Sequence, residues 1–229
     1  MSSKFYAKAY DILAPMATFL HPIAVEGLEN VPKDEPVVLC PNHSSNWDPI
    51  LLICALGREV NLRIMGKNQL FKIPILRSFL RKMGVFPVDR GHSDIGAVKN
   101  SIQTLKDGAM LMVFPEGTRV RGKKNAVRPK GGIAMIAIRS GAKLLPVYIG
   151  VKKRLFAKVP IIFGKPFAPE YTGRKGTAEE YQANADQVAE QLTALQKELR
   201  AEVADLPCKE LIPFHDGFAY FAKAFDLEI

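Results

Sequence analysis

Between a run of apolar residues and a second apolar run lies Pro41-Asn42-His43-Ser44-Ser45-Asn46-Trp47-Asp48-Pro49, which sets an imidazole five positions before a carboxylate. An aspartate bonded to one imidazole nitrogen fixes the tautomer and stabilises the imidazolium, so the other nitrogen can take a proton. Such a pair is a general base with its orienting group, and it needs only a hydroxyl to act on. On one continuous helix the two side chains would point about 140° apart, so the pair can meet only if the chain turns between them. Asp48-Pro49 reads as a helix start, with Asp at the N-cap and Pro at the first helical position. That puts His43 in a strand-to-helix loop at the carboxyl end of a strand, where open α/β sheets bind ligands. The same residues also fit without chemistry, as a plain N-cap and a loop histidine bonded to backbone. A metal site would need a third ligand, and none is evident near the pair. His21, His92 and His215 have no comparable setting and read as structural.

Two further clusters could hold an anion. Gly84-Val85-Phe86-Pro87-Val88-Asp89-Arg90-Gly91 is a strand ending in a charged turn, with Arg90 close to where the next helix begins. A guanidinium beside free backbone N–H groups suits a phosphate, although Arg90 could equally pair with Asp89. Phe114-Pro115-Glu116-Gly117-Thr118-Arg119 forces a tight loop and opens a basic stretch that includes Arg121, Lys123, Lys124, Arg128 and Lys130. Exposed N–H groups with clustered cations can hold a phosphate monoester. Lys130-Gly131-Gly132 starts another helix at the same edge, and Lys67, after its own strand, joins this rim. Lys123 and Lys124 read as solvated; Arg119 does not.

These clusters require a particular scaffold. Strands are expected at Val37–Cys40, Leu62–Met65, Phe86–Val88, Met110–Phe114, Leu144–Gly150 and Val159–Phe163, and helices at Asp48–Leu56, Gln69–Lys82, Asp94–Lys106 and Pro129–Arg139. That alternation predicts a single α/β domain, a largely parallel mixed sheet flanked by helices. The expected division is 1–30 as an interfacial amphipathic segment, 31–176 as the α/β domain and 177–229 as a helical, acidic and aromatic extension packed on it. Phe5–Leu20 carries aromatic and apolar side chains and is broken by Pro15; it suits either a membrane interface or the domain's own surface. Val188, Leu192, Leu195, Leu199 and Val203 fall at helical spacing and mark core packing. Phe214, Phe218, Tyr220, Phe221 and Phe225 form an aromatic cluster whose place the sequence leaves open.

Composition narrows the class. The longest apolar run, Ile50–Leu56, is far short of the 18 or so residues of a membrane span. Met1–Lys4 lacks the pattern of a signal peptide. Three cysteines without ligand spacing point to a reducing compartment and to no structural zinc. The net charge of +9 is unevenly spread: residues 177–229 hold 4 basic and 11 acidic side chains, leaving 28 basic against 12 acidic in the rest. A basic body implies an anionic partner, whether phospholipid surface, phosphate ligand or nucleic acid. No aromatic-interleaved basic surface or nucleic-acid motif appears, so nucleic acid is disfavoured.

In order and spacing, the three clusters, with Leu145-Pro146-Val147-Tyr148-Ile149-Gly150 as a fourth, resemble the 1-acylglycerol-3-phosphate acyltransferase (PlsC-like) family over about Val37 to Gly150. The resemblance rests on an Asn-His-x4-Asp block, a Gly-x-x-x-[Val/Ile]-x-Arg block, Phe-Pro-Glu-Gly-Thr-Arg and a Pro-containing strand. It implies a glycerol-3-phosphate acyltransferase-like fold, His43 as general base and Asp48 as its partner. It implies that Arg90, Glu116, Gly117, Thr118 and Arg119 bind the acceptor's phosphate, with Lys67 and Lys130 nearby. The implied reaction moves a fatty acyl chain from acyl-CoA or acyl-carrier protein to 1-acyl-sn-glycerol 3-phosphate, forming phosphatidic acid with no metal or organic cofactor. Many relatives carry a longer hydrophobic N-terminal region, whereas this chain has only about 20 moderately apolar residues there, so the expected location is cytoplasmic, peripherally attached to the inner face of the membrane. Rival readings are another lysophospholipid or glycerol-3-phosphate as acceptor, and a non-catalytic basic membrane-binding protein.

Overall fold

The computed structural model describes residues 4–89, 94–119 and 128–204. The chain divides into two compact units, Met1–Leu192 and Thr193–Ile229; the second is described only over the last turns of its helix. Among the described residues seven strands form one sheet: β1 (Ile23–Glu26), β2 (Val37–Pro41), β3 (Leu62–Lys67), β4 (Val85–Val88), β5 (Met110–Met112), β6 (Lys143–Ile149) and β7 (Val159–Phe163), in the order β1-β7-β6-β2-β5-β3-β4. All neighbours are parallel except β6 and β7. The expected α/β architecture is therefore present, with β2 at its centre.

β2 is buried along its whole length, which is why it reads as an unbroken apolar run and not as an alternating one. Its side chains divide by parity. Val37 and Leu39 face one side, packed with Leu51 and Leu52 of α2 (Asp48–Leu56). Val38 and Cys40 face the other, packed with α4 (Ile95–Lys106), α5 (Gly132–Ser140) and the buried Ala185 and Val188 of α6 (Ala178–Ala204). Each fully buried Leu or Ile in these layers is worth about 1.5–3 kcal/mol. Val188 and Leu192 thus lie in core packing, as their spacing implied.

Four local expectations need correction. The helix expected over Gln69–Lys82 is two pieces, a 3-10 turn at Asn68–Lys72 and α3 (Pro74–Lys82). Pro74 has no N–H to continue the helix and holds Ile73 in an extended conformation. The helix expected from Pro129 starts only at Gly132, because the Lys130 amide donates to Pro115 O and the chain is still loop there. β5 ends at Met112, although Val113 N still bonds Leu39 O. Pro15 does not break the first helix: α1 (Lys4–Leu20) runs through it. The Thr18 hydroxyl donates to Ala14 O and Pro15 O, and Tyr6, Ala9, Ala14 and Ala17 are buried along one face. Tyr10 of α1 donates to Cys54 O at 3.0 Å, fastening α1 to α2.

Because β2, β3, β4, β5 and β6 are mutually parallel, their carboxyl ends open on one edge of the sheet. The loops after β2, β5 and β6 converge there, and they carry the residues with chemistry.

Candidate active site

The Asn42 side chain makes the first connection. Its Nδ2 donates to Ile149 O at 2.9 Å and its Oδ1 accepts from Ile149 N at 2.7 Å, a two-bond clamp that extends the β2–β6 pairing by one residue. The next residue, His43, is therefore delivered at a fixed height above the strand ends. Its ring stacks on Phe114, centroids 3.9 Å apart and planes at 25°, which fixes the ring plane.

Asp48 supplies the rest of the constraint. His43 Nδ1 lies 3.0 Å from Asp48 Oδ2, and the backbone N–H groups of Ser44 and Ser45 donate to the same oxygen at 2.7 Å each. The loop curls around its own carboxylate, the turn that brings together two side chains a continuous helix would hold apart. Asp48 is accordingly not an N-cap. It is the first helical residue, after Trp47 with helical dihedrals and no capping bond, because its carboxylate is taken by the preceding loop.

Asp48 is fully buried. Burial pushes its carboxyl up, but the bond to His43, the Lys153 ammonium and the Ser45 N–H together hold it below the ordinary carboxylate value. Lys153, from the loop after β6, ion-pairs with Asp48 Oδ1 and donates to Ser44 Oγ at 2.6 Å. Burial pushes the Lys153 ammonium down and Asp48 opposes that.

The Phe-Pro-Glu-Gly-Thr-Arg loop closes over His43. The His43 backbone N–H donates to Glu116 Oε2 at 3.3 Å. Gly117 has a left-handed φ of 66°, which favours glycine, and its N–H bonds Phe114 O. A Cβ at Gly117 would stand 3.8 Å from Lys130 Nζ, so that ammonium lies against the turn. Arg119 Nη1 donates to Asn46 Oδ1 at 2.8 Å, tying this loop to the His43 loop. Thr118 is exposed beside it, and Lys67 is exposed at the end of β3 on the same edge. Arg90 lies outside the described residues, as do His92, His215, Arg121, Lys123, Lys124 and the aromatic cluster Phe214–Phe225. His21 is buried with Nδ1 3.0 Å from Arg154 O and its ring on Trp47, a structural setting. Among the described residues no group of three or more His, Cys, Asp and Glu could hold a metal.

The Glu116 carboxyl is pushed up to about 7 by burial, assisted by the Asp48 charge and opposed by the His43 N–H. A carboxyl that holds its proton more tightly in the folded chain stabilises the fold fully below its ordinary value of 4.5. That contribution is lost as pH rises through about 7. Thermal melts across this range should therefore show Glu116→Gln gaining Tm relative to the parent as pH increases; a constant gap would contradict the assignment.

An imidazole oriented by a buried carboxylate, under a loop with cations on its rim, suits proton removal from an alcohol that also bears an anionic group. The family model described as Acyltransferase matches residues 22–150, which contain every one of these loops except the Lys153 segment.

The chain belongs to the acyltransferase family.

Within it, the 1-acyl-sn-glycerol-3-phosphate acyltransferase of Bacillus subtilis is 32% identical over 71% of this chain and 81% of its own length. The one from Borreliella burgdorferi is 35% identical over 59% of this chain and 54% of its length, so the matched stretch spans only about half of that relative. The crystal structure of PlsC from Thermotoga maritima, titled a 1-acyl-sn-glycerophosphate acyltransferase, superposes with a TM-score of 0.63 at 27% identity, covering 85% of this chain and 78% of that one. A second model, zinc-uptake complex component A periplasmic, matches residues 174–229, less than half of the chain.

In this chain the sequence motifs indicated His43, Asp48 and the Glu116–Arg119 loop but not Lys153. Lys152-Lys153-Arg154 reads as one more solvated basic run, and the partner Ser44 is 109 positions away. Only the placement of Lys153 just beyond the fourth block, on the same sheet edge, hinted at it.

Proposed function

We propose that this acyltransferase moves a fatty acyl chain from a thioester, carried on CoA or on acyl-carrier protein, to the free hydroxyl of 1-acyl-sn-glycerol 3-phosphate, giving phosphatidic acid. The observation that carries the reading is His43 Nδ1 at 3.0 Å from a fully buried Asp48, in a loop tied through Asn46 to Arg119. The acceptor's phosphate meets Arg119, Lys130 and Lys67, joined by Arg90, and its hydroxyl is thereby aimed at His43. Nε2 takes the hydroxyl proton as the oxygen attacks the thioester carbonyl, while Asp48 stabilises the imidazolium. The tetrahedral intermediate then expels the thiolate, which recovers the proton from His43 and leaves as free thiol. The step draws on these side chains alone, without an acyl-enzyme and without a cofactor. The names of the relatives support lysophosphatidic acid as the acceptor.

Arg119→Ala removes one charge-assisted contact to phosphate, so the acceptor KM should rise about tenfold or more while the donor KM stays within about twofold. Steady-state kinetics with each substrate varied in turn checks this; a larger effect on the donor refutes the placement.

An acceptor whose own chain sits in a bilayer must be met at a membrane surface. No described helix is long and apolar enough to cross a membrane, but α1 turns Ile12 (72% exposed), Met16 and Phe19 (69%) outward. The loop after β6 adds Leu155 and Phe156, each 62% exposed, with the Phe156 ring 5.5 Å from that of Phe19 and its N–H bonded to Leu20 O. This patch on a basic body attaches the acyltransferase peripherally to an anionic leaflet, at the inner face of the membrane. Replacing Phe19 and Phe156 together by Ser should reduce co-flotation with phosphatidylglycerol vesicles by about tenfold or more; unchanged flotation rejects the patch.

A further inference from the structure

Lys153 takes no part in the proton transfer described above, yet it is as firmly built into the site as His43. Its side chain is 4% exposed, and its ammonium contacts Asp48 Oδ1 and donates to Ser44 Oγ. The loop that carries it is held on both sides. Before it, Ile149 is clamped by Asn42; after it, Arg154 O bonds the His21 ring and Phe156 N bonds Leu20 O. A buried ammonium gives up hydration that a methionine or leucine in the same slot would never have required. Packing alone therefore does not account for it. Its charge does.

Asp48 has two oxygens with separate duties. Oδ2 receives His43 and the two backbone N–H groups, and Oδ1 receives Lys153 and, at 3.5 Å, the Ser44 hydroxyl. The charged and titratable groups facing the His43 ring and its loop among the described residues are Asp48 from α2, Lys153 from the loop after β6, Glu116 and Arg119 from the loop after β5, and His21, whose ring meets Trp47. With Lys153 present, its ammonium and the Asp48 carboxylate behind the ring are a buried pair of opposite charges. Without it, a buried and unneutralised carboxylate would draw a proton onto the adjacent ring, and an imidazolium cannot act as a base.

We infer that Lys153 is a positioning residue for the general base: its ammonium occupies Oδ1, leaves Oδ2 to His43, and offsets the carboxylate's charge so that the ring stays free to accept the substrate's proton. This rests on His43 being the base, as proposed above.

The test combines ring titration with turnover. In protein carrying isotope-labelled histidine, the His43 signal is identified by its loss in His43→Ala. In Lys153→Met its titration midpoint should move up by about one pH unit or more. Turnover at neutral pH should fall about tenfold with the acceptor KM within about twofold. Lys153→Arg, which keeps the charge, should move the midpoint back toward the parent. Asp48→Asn/Lys153→Met removes both buried charges and so leaves neither unpaired. Its kcat should match that of Asp48→Asn within about threefold, because Lys153 has nothing left to act through. The inference is overturned if folded Lys153→Met titrates like the parent, or if the double variant loses about tenfold more than Asp48→Asn alone. His43→Ala separates the two levels. Full activity in that variant sinks the base assignment and this inference together, whereas an inactive His43→Ala with an unmoved midpoint in Lys153→Met sinks only the role of Lys153.

Discussion

His43→Ala should lower kcat by about 10²- to 10⁴-fold, with both KM values nearly unchanged. The expectation follows from how little else in the site can accept a proton from an alcohol. Asp48 is buried behind the ring and already receives two backbone N–H groups and an ammonium. Glu116 is engaged by the His43 backbone N–H, not by the ring, so that contact survives the substitution. The fold should survive as well, since Asp48 keeps its other donors, Ser44, Ser45 and Lys153, and Phe114 loses only the partner stacked on its face. Circular dichroism and a thermal melt verify the fold, and kcat with saturating acceptor reads the chemistry. A raised acceptor KM with unchanged kcat would mean that the imidazole binds substrate and does not move a proton.

Asp48→Asn should be as damaging to turnover, about 10³- to 10⁴-fold, and should also destabilise the protein. The volume is preserved, but an amide NH2 cannot accept from the His43 Nδ1–H, the Ser44 and Ser45 N–H groups and Lys153 together. It leaves Lys153 with an unpaired buried charge, a loss on the order of 3–5 kcal/mol. The pH dependence has a definite sign. Asp48 titrates below its ordinary 3.8 in the folded chain, so its contribution is complete above that value and lost as pH falls through the depressed folded one. Urea midpoints of parent and Asp48→Asn should thus differ at neutral pH and converge in strong acid. A gap that widens in acid would contradict the buried, ionised carboxylate.

What the sequence disclosed follows from what its physics encodes locally. The central strands were legible because β2 and β6 are buried on both faces and appear as apolar runs. β1 was not anticipated: four residues at the sheet edge, with none fully buried, carry too little pattern to read. Continuity of α1 through Pro15 depends on small residues packing against α2, which helix propensity does not contain. In the site, the residue types and spacing pointed to His43 and Asp48, but the reason they meet is the turn that wraps Ser44 and Ser45 N–H around the carboxylate. Arg119 was legible as a cation, its bond to Asn46 was not. Lys153 escaped altogether, because its neighbours Lys152 and Arg154 look identical on paper and its partners come from a different strand's loop.

The most direct measurement of the central claim is thiol release with purified protein, offering an acyl chain on CoA and separately on acyl-carrier protein, with and without lysophosphatidic acid. Stoichiometric thiol and phosphatidic acid from at least one donor, only when the acceptor is present and absent in His43→Ala, is the predicted result. Thiol released without acceptor, or equally fast from the alanine variant, would contradict an imidazole that works by deprotonating the acceptor's alcohol.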